Sequence, residues 1–550
     1  MAVGLRLCTC LVRIRHLPNR RPSGVQLTFT FKLTSTIIAI YFCLSIVIAY
    51  ASRRQGRSSN DFLNATRSLP TWVAAMSFLA CNCGALDVLG LSGIALRYGV
   101  QAFHFYWIGA IPALIFMSFV MIPVYVKSSA RSVPEYLGQR FGPRLRLLNA
   151  ASVLVSTALY VGISLYALAE VTDIAFGWSF FSTVVLFGSV VLAYVLTGGF
   201  RATVYNEILQ FLYMFAGLLP LLYFTHKVSG VCLLHAGQYW HVWSATPVVS
   251  SKAQVDLIGV VAGLGGVVSF SYWCTDYGLV QRALTARNLE AARKVPLLAG
   301  FGKILFSFVI VVPVVLMSGQ LHKRFGMALD ETIPTLIATM YGPRLVGVGI
   351  TALMAGLLNS LASNISAFSS LWTGEIYRPF LNPHRTESHY RNVGRAASVC
   401  SVAIGIVVAL WTRNFENLSA LVLLIFSLFI APFFAVLLTG SLSRRTTMGN
   451  AIGGALAGFV AGGGIQFAYA ERWLTSGSRL SANLYSAIVS FAAAVIVCNA
   501  PALLWRRRRM TRHQQEISPI KPTRQKPSVA VWCLAGALLI TCVAANGFWW

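Results

Sequence analysis

Acidic residues are scarce in this sequence. Only 16 of its 550 residues are Asp or Glu, and charged residues of both signs make up 11% of the chain. Soluble domains carry roughly 25% charged residues, so a water-soluble protein is excluded.

Signatures of enzymes and of metal centres are missing as well. The 11 cysteines form no CxxC pair, so the sequence predicts neither a zinc site nor a disulfide framework. It contains no HExxH motif, no paired histidine cluster and no GxSxG elbow in a suitable context. We therefore expect a protein that is not an enzyme and has no organic cofactor.

Apolar residues dominate the chain. They make up 56% of it, and the mean hydropathy is +0.68. Because a bilayer-spanning helix needs about 20 apolar residues, the runs between charges predict an all-α integral membrane protein with about 14 transmembrane helices. The predicted spans are residues 34–51, 72–96, 100–126, 147–171, 177–197, 202–226, 255–280, 295–319, 344–373, 394–412, 416–441, 448–470, 481–505 and 528–549.

The positive charges are distributed unevenly between the predicted loops. The 44 Lys and Arg residues give a net charge of +28, and they concentrate in the loops after spans one, three, seven, nine, eleven and thirteen. By the positive-inside rule these loops are cytoplasmic, which places both termini outside. The basic segment 1–33 disagrees, because its charges oppose export. We expect the basic linker 506–527 to contact anionic lipid, not nucleic acid, in a multi-pass protein of the plasma (cell inner) membrane.

Polar residues recur at bilayer depth in three spans. Span two contains the stretch 80–87 (ACNCGALD), span seven is interrupted by glycines at 259–266, and span nine carries Asn359, Ser360 and Asn364. Paired Gly-interrupted spans at matching places in two halves indicate an inverted-repeat transporter. Bared carbonyls and hydroxyls suit a hard cation. The alternative is that Gly and Ser only allow close helix packing.

Several ordered motifs resemble one transporter family. The strings are YWCTD at 272–276 with VQRALTARN at 280–288, SVPEYL at 132–137, GGFRA at 198–202, GFGK at 300–303 and SLWTGEIY at 370–377. Together they resemble the sodium:solute symporter family, and most closely its sodium–glucose cotransporter branch, over residues 35–505.

The resemblance implies a five-plus-five inverted-repeat core with alternating access. Spans two to six (72–226) would form the first repeat and spans seven to eleven (255–441) the second. The first span (34–51), spans twelve and thirteen (448–505) and the last span (528–550) would be peripheral.

The resemblance also implies a sodium site between spans two and nine. Its ligands would be the carbonyls of Ala80, Cys83 and Gly356 and the side-chain oxygens of Asn359 and Ser360. Asn359 departs from the family, which usually has a hydroxyl residue there. Its amide oxygen could ligate an ion, but the longer side chain also opens the alternative that protons replace sodium.

A solute pocket is implied beside that site, and it is altered. Asn82, Tyr272, Trp273 and Lys303 match positions that bind or gate sugar, and Asp87 stands where the family has His or Gln. We expect Asp87 to pair with Lys303 or to face a cationic or polyhydroxylated ligand; the alternative is a hydrated acid at a helix mouth.

Three further family positions bear on the pocket and the ion route. The pocket glutamate of span three falls on Tyr106 or Trp107, and a glutamine of span eleven falls near Leu423. Glu207 matches an acid near the cytoplasmic ion exit; the alternative is an interfacial acid near Arg201. The aromatics at 103–107 are predicted to form an interfacial belt, with His104 wetted.

The expected function is sodium-coupled symport, in which a sodium gradient drives uptake of a small organic solute, a sugar or polyol. Its partners would be sodium, the solute and the lipid bilayer. The alternatives are a proton-coupled symporter of the same fold and a solute sensor that does not pump.

Overall fold

The computed structural model describes residues 69–229, 258–324, 331–343, 345–413, 418–443, 446–471, 473, 479–504 and 526–548, together with residues 36, 40, 43–45 and 47. The basic segment 1–33 and most of the linker 506–527 lie outside the described residues. Of the predicted first span only those six residues are described, and they are helical.

The described chain is helical, as predicted. The helices are α1 (Thr71–Asn82), α2 (Ala85–Tyr98), α3 (Ile111–Lys127), α4 (Val133–Phe141), α5 (Pro143–Phe176), α6 (Phe180–Ser229), α7 (Gly259–Thr275), α8 (Tyr277–Ala283), α9 (Leu289–Arg324), α10 (Thr332–Met340), α11 (Val346–Leu381), α12 (Glu387–Thr412), α13 (418–442), α14 (Met448–Ala470), α15 (Arg479–Leu504) and α16 (Val529–Phe548). A 3₁₀ turn, Gly99–Phe105, follows α2.

Span two is broken, as predicted from its polar centre. α1 ends at Asn82, α2 begins at Ala85, and the two halves are bent by 54°. Gly84 between them has an extended backbone. Irregular backbone at membrane depth is tolerated where protein or a cavity surrounds it, and this break is buried against α11.

Span seven is also broken, but not where the glycines predict. The glycine-rich stretch Gly259–Val268 stays helical in wide π turns. The interruption comes at Asp276, whose backbone leaves the helical region and whose carboxylate accepts the Leu279 N–H at 2.9 Å. The glycines are accommodated in π turns without a break in the helix. Asp276 instead ends the helix and caps the next one, α8.

The predicted count of fourteen spans stays a prediction. Within the described residues nine helices are long and apolar enough to cross a membrane, or ten with the bent pair α1 and α2. Three shorter apolar helices, Ile111–Lys127, Phe180–Leu196 and Gly259–Thr275, fall on predicted spans three, five and seven. The GGFRA segment between predicted spans five and six keeps its helical backbone within α6, and the two spans correspond to the parts Phe180–Leu196 and Thr203–Ser229 of that helix.

The aromatic belt predicted at 103–107 is wrong. Phe103, Tyr106 and Trp107 are 0–3% exposed, and His104 is buried instead of wetted. The 3₁₀ turn folds this segment inward, where the Phe103 ring stacks on Trp107 with centroids 4.4 Å apart.

Three arginines counted as cytoplasmic loop charges are buried. Arg140, Arg282 and Arg293 are 1–3% exposed. They make ion pairs or hydrogen bonds inside the protein. Part of the positive charge assigned to the loops therefore stabilises contacts between helices.

α4 connects the first predicted repeat to helices of the second predicted repeat. The Arg140 Nε donates to the Gly440 carbonyl of α13 at 3.3 Å. At the other end of α4, the Ser132 hydroxyl donates to Glu375 of α11 at 2.6 Å. Glu375 also pairs with Arg146 at the start of α5, at 2.8 Å.

The break in span two and the unbroken helix α11 lie inside the packing. α1 packs against α6, α8 and α9, whereas α11 packs against α5, α6 and α12. The break between α1 and α2 therefore meets α11 in the interior, where the candidate site is built.

Candidate functional site

The break after α1 releases a backbone carbonyl. In an uninterrupted helix the Gly84 N–H would bond to Ala80 O. It bonds instead to Asn82 O at 3.0 Å, and Cys83 N closes the helix on Leu79 O at 2.7 Å. The Ala80 carbonyl is thereby freed from the helical ladder, and Cys83 lies at the break itself.

α11 presents a close-fitting face to this break. A Cβ atom on Gly84 would collide with Ser360 Oγ, and one on Gly356 would lie 3.0 Å from Ala85 N. The absence of a Cβ atom at both positions allows this close approach. Ser360 is 8% exposed and faces the break, and its hydroxyl donates to Gly356 O at 3.3 Å.

Asn359 completes the group and makes the contact that sequence reasoning missed. It is fully buried, and its Nδ2 donates to Ala80 O at 2.8 Å. Its Oδ1 has no hydrogen-bond partner among the described residues. Ala80, Gly356, Asn359 and Ser360 thus lie together where α11 packs on the break, and Cys83 lies at the break itself.

The oxygen atoms in this group define what ion could be held. Carbonyl, hydroxyl and amide oxygens suit a hard cation and not a transition metal. Within the described residues no group of three or more His, Cys, Asp or Glu side chains could hold a metal.

A polar network lies beside the break, built around Lys303 of α9. Lys303 Nζ donates to Asp87 Oδ2 at 3.2 Å and to Asn82 Oδ1. Asn82 Nδ2 in turn donates to the Tyr272 hydroxyl at 2.8 Å. The predicted Asp87–Lys303 pair is therefore present, and it links α1, α2, α7 and α9.

Aromatic rings enclose the ammonium group. Lys303 Nζ lies 3.8 Å from the centroid of the Tyr106 ring and 5.7 Å from that of Trp273. Such contacts contribute cation–π attraction. The family's pocket glutamate is expected to fall on Tyr106 or Trp107. Of these two, Tyr106 contacts Lys303, whereas the indole N–H of Trp107 donates to Ser307 at 3.3 Å.

The network and the break share one cavity of about 230 Å³. Its lining includes Gly84 and Ser360 from the break, and Leu423 and Phe426 from α13. It also includes the predicted solute residues Asn82, Asp87, Tyr272, Trp273 and Lys303. Of the five predicted ion ligands only Ser360 lines this cavity, so an ion at the break would lie at the edge of the space that a small solute would occupy.

The cavity extends along one face of α5. Asn149, Val153, Thr157 and Tyr160 line it at helical spacing. At 1.5 Å per residue this face is on the order of 16 Å long. Asn149 is 2% exposed, and its Oδ1 has no partner among the described residues. The cavity therefore reaches toward the end of α5 that carries Arg146.

Glu207 of α6 lies deep inside the protein, 1% exposed, so the alternative of an interfacial acid near Arg201 is wrong. Both its carboxylate oxygens bind the Arg282 guanidinium, with Nε at 2.9 Å from Oε2. Ser77 of α1 and Ser363 of α11 donate to the same carboxylate at 2.9 and 2.6 Å. This buried cluster ties α1, α6, α8 and α11 together beside the cavity.

Sequence reasoning does not find two of these partners. The sequence places Arg282 in a loop and does not single out Ser77. The sequence gives only an indirect indication that Glu207 and Arg282 form a pair. Arg282 follows a broken span, and Glu207 is one of only 16 acidic residues.

Known proteins with similar sequences agree on one family. The family model described as "Sodium:solute symporter family" matches residues 62–462. The chain is 25% identical to sodium/glucose cotransporter 4 of Danio rerio over 485 residues, covering 80% of this chain and 73% of that protein. It is 27% identical to a sodium/mannose cotransporter of Bos taurus, covering 81% and 79% of the two chains.

A bacterial relative and a solved structure extend this likeness. The chain is 24% identical to a sodium/glucose cotransporter of Vibrio parahaemolyticus, over 76% of this chain and 82% of that protein. The fold is similar to that of a Na⁺-coupled sialic acid symporter solved in a substrate-bound, outward-open state, with a TM-score of 0.70, 15% identity and coverage of 86% and 98%. The chain is a multi-pass membrane transporter, not an enzyme, and it belongs to the sodium:solute symporter family.

Proposed function

We propose that this protein uses a sodium gradient to import a small, neutral, polyhydroxylated solute, a sugar or a polyol, by alternating access. The observation that carries this proposal is the single cavity shared by the broken span and the Lys303 network. Sodium would lie between the carbonyls of Ala80, Cys83 and Gly356 and the side chains of Asn359 and Ser360.

The charge balance of the cavity supports a neutral solute. Asp87 is compensated by Lys303 at 3.2 Å, so a neutral ligand leaves no charge unpaired. A cationic ligand would meet the ammonium group in the same network. The Lys303 side chain is 5% exposed whereas that of Asp87 is 35% exposed, so the carboxylate retains room to accept hydrogen bonds from ligand hydroxyls.

The ring-lined walls support the same solute class. Tyr106, Tyr272, Trp273 and Phe426 line the cavity. Aromatic faces pack against the apolar faces of a sugar ring while a few polar groups fix its orientation. Relatives named as sodium/glucose and sodium/mannose cotransporters, at 25% and 27% identity, agree with this class.

Coupling follows from where the ion would bind. An ion at the break would contact α1 from one group of helices and α11 from another. It would favour the arrangement in which these oxygens converge, which we assign to the outward-open state. Binding shifts that equilibrium only by its differential affinity for the two states.

The test is uptake by purified protein in liposomes. A labelled hexose, a polyol, an amine and a carboxylate are compared with and without an inward sodium gradient. We expect sodium-dependent accumulation of the hexose or the polyol, and a weaker sodium dependence in Ser360→Ala. Preferential uptake of the amine would contradict the proposed solute class, and unchanged sodium dependence in Ser360→Ala would contradict the assigned ion site.

Proton coupling is the second candidate, because Asn359 already bonds to the Ala80 carbonyl and Asp87 adds an acid to the cavity. Accumulation driven by an inward pH gradient in sodium-free buffer would favour it. Accumulation that needs sodium at every pH would exclude it.

A further inference from the structure

The amide of Asn359 points its donor end at the candidate ion site. Asn359 is 0% exposed, and the atom 2.8 Å from Ala80 O is Nδ2. A carbonyl only accepts hydrogen bonds, so the amide must face it with its N–H group. The carbonyl freed by the break is therefore satisfied by a side chain of this same chain.

The other end of the amide has no such compensation. Asn359 Oδ1 is buried and has no hydrogen-bond partner among the described residues. An unpaired buried acceptor is costly, so the present orientation satisfies Ala80 O at the expense of Oδ1. Rotation of the amide by about half a turn about its last side-chain torsion would exchange the two ends. It would bring Oδ1 toward the carbonyls of the break, where only a cation between them makes the contact favourable.

We infer that Asn359 is an ion-responsive switch that closes the sodium site in the absence of sodium. With its N–H group on Ala80 O it takes the place of the cation and joins α11 to α1. Sodium binding requires the amide to turn, which costs the Asn359–Ala80 hydrogen bond and supplies a cation to Oδ1. This inference rests on the proposed sodium site and assigns to one residue the setting of its sodium affinity.

Replacing Asn359 with serine or with aspartate should open the site. A serine hydroxyl lies one bond nearer the α11 backbone than Asn359 Nδ2, which reaches Ala80 O at 2.8 Å, so it falls short of that carbonyl. An ionised aspartate has no proton to donate. The Asn359→Ser variant would retain a hydroxyl ligand, and the Asn359→Asp variant would supply an anionic one. Removing a competing hydrogen bond of ordinary strength should lower the half-saturating sodium concentration about tenfold. Alanine also removes the competing N–H but supplies no ligand, so it should not lower that concentration.

The experiment measures two quantities on purified full-length protein: the sodium concentration for half-maximal thermal stabilisation, and that for half-maximal solute uptake. The variants are Asn359→Ser, Asn359→Asp and Asn359→Ala. Ser369→Ala is the matched control, because Ser369 is buried on the same helix and bonds to Gly394 O at 2.7 Å, away from the break. Thermal stability without sodium reports whether each variant is folded.

The expected result is a fall of about tenfold in both sodium concentrations in Asn359→Ser and Asn359→Asp, with Asn359→Ala and Ser369→Ala showing no fall. If the unchanged protein shows no sodium response and Asn359→Ser and Asn359→Asp do, the result also supports the switch. Unchanged or raised sodium concentrations in both variants would overturn it. If that happens while Ser360→Ala still weakens the sodium response, the switch fails and the proposed sodium site stands. If no variant responds to sodium, both fail.

Discussion

The buried ion pair of Glu207 and Arg282 provides the sharpest stability prediction. Glu207→Gln keeps the shape of the side chain and removes its charge, which strands the Arg282 guanidinium in the interior. Both side chains are at most 2% exposed, so water cannot replace the lost partner. The Ser77 and Ser363 hydroxyls also lose a charged acceptor.

The expected cost follows from this burial. Breaking a buried pair by removing one partner costs about 3–5 kcal/mol. Arg282 retains the Gly278 carbonyl at 2.8 Å, and glutamine can still accept one hydrogen bond, so we expect the lower end, about 3 kcal/mol. At about 1.4 kcal/mol per factor of ten, this is roughly a hundredfold in an equilibrium or rate constant.

Exposed charges supply the matched control. Glu387 pairs with Arg378 at 3.7 Å, but the two side chains are 51% and 44% exposed. Surface pairs contribute about 0–1 kcal/mol, so Glu387→Gln should change stability by no more than about fivefold.

The assay is the rate of irreversible thermal unfolding in detergent at one temperature. The rate should rise by up to about a hundredfold for Glu207→Gln, and the double variant Glu207→Gln with Arg282→Met should recover part of the loss, because it removes the stranded cation. Glu207→Gln losing no more stability than Glu387→Gln would refute the reasoning. So would a double variant whose loss equals the sum of the two single losses.

Three further predictions concern the cavity. Lys303→Met leaves Asp87 without its cation and should raise the solute KM by about tenfold or more while sodium-induced thermal stabilisation persists; an unchanged KM in the uptake assay would contradict the network's role. Gly84→Ala drives a methyl group into Ser360 Oγ and should abolish the sodium-induced stabilisation, whereas Gly463→Ala, with no described atom within 4 Å of its Cβ, should not. Asn149→Leu places an apolar side chain in the part of the cavity along α5 and, if the solute leaves that way, should slow solute efflux from preloaded liposomes with unchanged equilibrium binding. Efflux at the normal rate would show that the solute leaves by another route.

Local chemistry makes part of this structure predictable. A run of small and polar residues around Gly84 predicts the break in span two, because Asn82, Gly84 and Asp87 are costly in a continuous helix at bilayer depth. The Asp87–Lys303 pair is foreseeable for the same reason, since an acid in that environment needs a cation. The ordered motifs predict the family, because they do not depend on contacts between distant residues.

Other features depend on contacts that the sequence does not encode locally. Glu207 and Arg282 are 75 residues apart, and Asn359 and Ala80 are 279 apart. Whether Asn359 presents its oxygen or its nitrogen to Ala80 depends on how closely α11 approaches the break. Glycines predicted to interrupt span seven remain helical, because π turns are as compatible with that composition as a break.

The hydrogen bonds made at the two ends of α4 indicate which helices would move together. α4 binds α11 and α13 through Ser132 and Arg140, so these helices and α5 should turn together. On the opposite side, Tyr125 of α3 donates to the Cys274 carbonyl of α7 at 2.7 Å, and Ser118 of α3 to the Arg293 carbonyl of α9 at 2.8 Å. We therefore expect these two groups of helices to move against each other, with the candidate ion site and the cavity between them. A bound ion or solute would then contact both groups at once.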